Sequence, residues 1–84
     1  MTRLPRGVSG ERLARALRVL GYRVTRETGS HMRLTTTEGG EHHVTIPRHD
    51  SLRVGTLASI LEDVAAHFGM TREDLLTRLF GGRR

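Results

Sequence analysis

The sequence predicts one α+β domain, a three-stranded antiparallel sheet with helices on one face, in the order α-β-β-β-α-α. A segment with apolar residues at helical spacing comes first. Three short stretches of alternating apolar and polar residues follow, and two further leucine-rich helical segments close the chain. Turns of a few residues join the strand stretches, and connections that short permit only antiparallel neighbours. With 84 residues the chain has room for one core, so residues 1–84 read as a single domain.

Ser9 is placed to cap the first helix, with Glu11 in its first turn. Val8 and Leu13 stand at the positions of a hydrophobic staple. Leu13, Ala16, Leu17 and Leu20 recur at helical spacing, while Arg12, Arg15 and Arg18 fall on the other side. Gly21 ends the helix. In the first strand Tyr22 and Val24 point inward and Arg23 and Thr25 outward. In the second, Met32, Leu34 and Thr36 alternate with His31, Arg33 and Thr35. In the third, Val44 and Ile46 alternate with His43 and Thr45. Each reads as a strand with one buried face.

Parity selects the second turn. A Gly39-Gly40 loop would set outward Thr35 against inward Val44, and cross-strand partners must share a face. A loop over Glu38, Gly39 and Gly40 instead aligns Leu34 with Val44 and Met32 with Ile46, with Gly40 left-handed. Pro47 ends the third strand. Thr56 is expected to cap a second helix whose apolar face is Leu57, Ile60, Leu61, Val64 and Phe68, stopped by Gly69. Thr71, with Asp74 three residues on, starts a short third helix that carries Leu75, Leu76, Leu79 and Phe80 to Gly81. Gly82-Arg83-Arg84 reads as a frayed tail.

Composition narrows the function. Hydrophobic residues are 36% and charged residues 27%, with ten glycines, which is ordinary for a folded domain. The absence of cysteine excludes disulfides, thiolate metal sites and thiol catalysis. No apolar run suits a membrane span, and Met1 to Gly7 lacks a signal-peptide core, so a cytoplasmic location without membrane contact is expected. The net charge is +5 and all 14 basic residues are arginines. Arginine presents a bidentate fork suited to phosphate, and a basic surface points to nucleic acid or an acidic protein partner.

Strand parity puts Arg23, Thr25, His31, Arg33, Thr35, His43 and Thr45 together on the uncovered sheet face. His31 follows Thr28-Gly29-Ser30 at the head of a strand. Histidine exchanges protons near neutral pH and suits acid–base work on RNA, where a 2′-hydroxyl loses a proton and a 5′-oxygen gains one. An ordinary surface histidine is the competing reading. His42 and His43 are adjacent and point to opposite faces, and His67 falls at the end of a helix. No metal-ligand spacing appears, so neither metal nor cofactor is expected.

The ordered set Leu4-Pro5, Val8-Ser9-Gly10, Leu20-Gly21-Tyr22, Gly29-Ser30-His31, Val44-Thr45-Ile46-Pro47-Arg48-His49 and Gly55-Thr56-Leu57 resembles the HicA-type toxins of bacterial toxin–antitoxin pairs. The resemblance spans Leu4 to Leu79. It implies a fold like a double-stranded-RNA-binding domain and a ribosome-independent endoribonuclease acting on mRNA. It also implies a HicB-type antitoxin that covers the catalytic histidine. His31 matches that histidine. His49 is the first candidate for a second acid or base, with His43 or an assisting arginine as alternatives, and Arg23, Gly29, Ser30, Arg33, His43 and Arg48 are candidates for RNA contact. A non-catalytic RNA-binding module of the same fold is the alternative. Monomer and edge-paired dimer are both open.

Overall fold

The computed structural model describes residues 4–81; the expected tail, residues 82–84, lies outside them. Helix α1 (Gly10–Ala16) tightens into a 3-10 turn over Leu17–Leu20. Strands β1 (Arg23–Glu27), β2 (His31–Thr36) and β3 (His42–Pro47) follow, then α2 (Val54–Phe68) and α3 (Arg72–Leu76), which opens into a wide π turn to Gly81. The strands form one antiparallel sheet in the order β1-β2-β3. One core of side chains from the helices and the inner sheet face holds the unit together, with Leu13, Leu17, Leu34, Ile46, Leu57, Leu61, Val64 and Leu75 wholly or almost wholly buried.

Local chemistry sets the start of α1. Ser9 Oγ accepts the Arg12 N–H at 3.0 Å, and Val8 and Leu13 are both buried, as a staple requires. Gly10 meets the end of β3 so closely that a Cβ there would lie 1.9 Å from the Pro47 carbonyl oxygen. Its N–H donates to the His49 carbonyl at 2.9 Å. At the other end Gly21 is left-handed, with φ of 84°. The buried Thr36 hydroxyl donates to the Leu20 carbonyl at 2.8 Å and accepts the Glu38 N–H at 3.1 Å. One side chain thus ties the end of the first helical segment to the β2–β3 turn.

The β2–β3 register pairs Leu34 with Val44 and Met32 with Ile46, the alignment that parity selects. Both glycines of that turn have positive φ, 68° at Gly39 and 103° at Gly40. Thr71 caps α3 by accepting the Asp74 N–H at 3.0 Å.

Two elements depart from the sequence reading. Helix α2 begins at Val54, two residues before Thr56, with Arg53 as an N-cap that makes no side-chain hydrogen bond. Here the entry is fixed by tertiary contact: Leu52 is buried and its N–H donates to the Val8 carbonyl at 2.8 Å. Strand β1 has no buried face. Every residue in it is exposed, Val24 to 44%. It is an edge strand that the helices do not cover, and a bulge between Val24 and Arg26 shifts its register.

Candidate nucleic-acid interface and active site

The open sheet face is built by β2, with β1 and β3 on either side. Thr25 Oγ1 donates to the Arg33 carbonyl at 3.3 Å and shares a hydrogen bond with Thr35 Oγ1 at 2.9 Å. Thr35 meets His43 Nδ1 at 2.7 Å, and His43 Nε2 donates to Glu41 at 2.9 Å. These bonds run across all three strands and fix the face before any ligand arrives. Both nitrogens of His43 are therefore engaged within the protein.

The bulge adds a residue that strand parity missed. Regular alternation would put Glu27 on the outer face. Instead Arg26 pairs with Arg33, and Glu27 pairs with buried Met32. Since partners share a face, Arg26 joins Arg23 and Arg33 outside while Glu27 turns toward the helices. None of these three arginines makes an ion pair among the described residues. Like charges directly opposite each other destabilise a sheet, and an anion laid between Arg26 and Arg33 relieves that cost. Sequence offers no reliable signal for a single-residue bulge.

His31 opens β2 and is exposed. The turn before it is organised by Thr28, whose hydroxyl accepts the N–H groups of His31 at 3.0 Å and of Ser30 at 3.4 Å. The Thr28 N–H donates to the His31 carbonyl at 2.9 Å. Ser30 Oγ lies 2.9 Å from His31 Nδ1, which orients the ring, and Nε2 has no hydrogen-bond partner among the described residues. A hydroxyl both donates and accepts, so Ser30 supports either neutral tautomer. Gly29 has no positive φ, and a Cβ there would meet nothing within 4 Å. The backbone does not require glycine at this position.

His49 is exposed, and its carbonyl anchors α1. Its neighbour Arg48 donates its N–H to the Ser30 carbonyl at 2.8 Å. That bond extends the β2–β3 pairing one residue past the His31–Pro47 pair, and His49 is the next residue in the chain. The Arg48 side chain does not join this face. Its guanidinium reaches Glu11 at 2.9 Å and also pairs with Glu27, on the helix side, while its buried Nε has no partner among the described residues.

The remaining histidines lie on the helix side as well. His42 Nδ1 meets the Tyr22 hydroxyl at 2.7 Å, and its Nε2 donates to Asp63 at 3.3 Å. Its ring stacks on His67 at 4.4 Å, and His67 Nε2 donates to the Glu38 carbonyl at 2.9 Å. Burial, helped by the charge of Asp63, pushes the Tyr22 phenol up to about 12. This cluster clamps the β2–β3 turn to α2. Among the described residues no group of three or more histidine, aspartate or glutamate side chains is arranged to hold a metal ion. Nor is any helix among them long and apolar enough to cross a membrane.

An α-β-β-β-α domain with its helices on one side and a polar, arginine-bearing sheet face on the other has the fold of a double-stranded-RNA-binding domain. The chain belongs to the HicA toxin family of bacterial toxin–antitoxin systems, whose sequence model matches residues 10–65. No curated protein and no solved structure matches it. Family membership gives the chain a toxin's role and an antitoxin as counterpart.

Proposed function

We propose that this toxin is an endoribonuclease that cuts mRNA without the ribosome, with His31 as its catalytic residue. The observation that carries the reading is the placement of His31. It is exposed at the head of β2, its Nε2 without a hydrogen-bond partner among the described residues, on the face that bears Arg23, Arg26 and Arg33. Family membership and that arginine face support RNA as the substrate.

The reaction follows from these groups. A base removes the 2′-hydroxyl proton, and the 2′-oxygen bonds to the adjacent phosphorus. The bond from phosphorus to the 5′-oxygen breaks, and an acid protonates that oxygen. One histidine cannot easily do both in a single step, so His49, two residues after the cross-strand partner of His31, takes the second role. The arginines stabilise charge on the pentavalent phosphorus. Gly29 leaves room for the backbone of the strand being cut, and Ser30 orients His31. A HicB-type antitoxin inhibits by covering His31.

Analysis of product ends on a labelled, unstructured RNA tests the chemistry. Cleavage should yield 2′,3′-cyclic phosphate and 5′-hydroxyl ends, and RNA methylated on every 2′-oxygen should survive. Products with 5′-phosphate ends, or cleavage of the methylated RNA, would contradict it. RNA binding without any product would leave the non-catalytic binding module.

A further inference from the structure

On the side of the sheet away from His31, the helix layer is incomplete. Between α1 and β1 runs an open cleft of about 700 Å³. Its floor is formed by buried Ala14 and Met32 and by exposed Val24, and Arg15 and Arg18 stand along its helical wall. Val24 pairs with buried Leu34 and so belongs to the core face, yet 44% of it is exposed. This valine leaves apolar surface of the inner sheet face open to the cleft.

We infer that this cleft is a docking groove for a segment of the antitoxin that carries an apolar residue flanked by carboxylates. Charge selects the occupant. Of the three acidic groups that line it, Glu11 and Glu27 are already engaged by Arg48, which leaves Glu38 alone against the arginines of the helical wall. Arg15 and Arg18 make no ion pair among the described residues, so the helical wall carries unpaired positive charge. An apolar side chain over Val24 and Ala14, with carboxylates toward these arginines, satisfies both features. The bulge in β1 interrupts the edge that a regular added strand would need, so side chains rather than a continued ladder make the contact. The choice of a protein partner rests on the toxin–antitoxin reading, whereas the groove does not depend on His31. Its place beside the edge strand lets one antitoxin grip the toxin here while another part covers the opposite face.

The test is a titration of the ¹⁵N-labelled protein, followed by amide shifts, with a short peptide of leucine and glutamate. Shifts should cluster on Ala14, Arg15, Arg18 and Val24. A peptide with lysine in place of glutamate should give none there. The Arg15→Glu/Arg18→Glu variant, checked for its fold, should bind about tenfold more weakly. Val24→Lys should also weaken binding. Both variants should cut RNA at the wild-type rate. Equal shifts from the lysine peptide, or shifts confined to the His31 face, would overturn the proposal. So would groove shifts produced by RNA alone, or by self-association seen in sedimentation. A wild type that binds the peptide but cuts no RNA would count against the nuclease reading and leave the groove standing.

Discussion

Thr28 shows how one hydroxyl can organise the turn before a histidine. It accepts two N–H groups in the turn that leads into His31, so Thr28→Val should lose about 1 kcal/mol of stability. RNA cleavage should fall further than that loss explains, because His31 is no longer held. Thr28→Ser should restore both. Equal cleavage by Thr28→Val and wild type would show that the turn positions nothing. Tyr22 supplies a pH signature of the fold. Its phenol is raised from 10.0 to about 12, so the native state favours the protonated form. Its contribution is complete below pH 10, where both states are protonated. It is lost as pH rises toward 12, where the unfolded chain ionises first. Thermal melts should therefore fall more steeply over that interval in wild type than in Tyr22→Phe. Parallel curves would mean that the buried phenol is not the group responsible.

The glycines separate structural from functional need among the elements. Gly10→Ala drives a Cβ into the Pro47 carbonyl, where backbone meets backbone and neither side yields easily. It should cost about 3 kcal/mol or more in denaturant unfolding. Gly29→Ala meets open space and should change stability by less than about 0.5 kcal/mol. Its cleavage rate should drop if the RNA backbone approaches there, and an unchanged rate would remove Gly29 from the site. Most of the fold was legible because period and parity have sharp physical causes. Leu34 opposite Val44 follows from the rule that partners share a face, and Ser9 and Thr71 cap as their side chains allow. The start of α2 was not legible, since buried Leu52 and the Val8 carbonyl set it from a distant part of the chain. Nor was the bulge, which adds Arg26 to the outer face, or the withdrawal of Arg48 into ion pairs on the helix side.

For the whole molecule, the division into two faces is the organising fact. Helices and core occupy one side, and a prearranged polar sheet bearing arginine and histidine occupies the other. If Arg23, Arg26 and Arg33 each contact a phosphate of a single strand, log affinity should fall with log salt with a slope of about −2. Arg26→Ala should reduce that slope by about 0.7, read by fluorescence anisotropy across a salt series. A slope unaffected by Arg26→Ala would remove it from the interface. The most direct measurement of the role of His31 is cleavage of a labelled, unstructured RNA without ribosomes and with a chelator present, wild type beside His31→Ala, both shown by circular dichroism to be folded. Wild type should cut, and His31→Ala should be slower by about a hundredfold or more. Undiminished cutting by a folded His31→Ala protein would contradict the account.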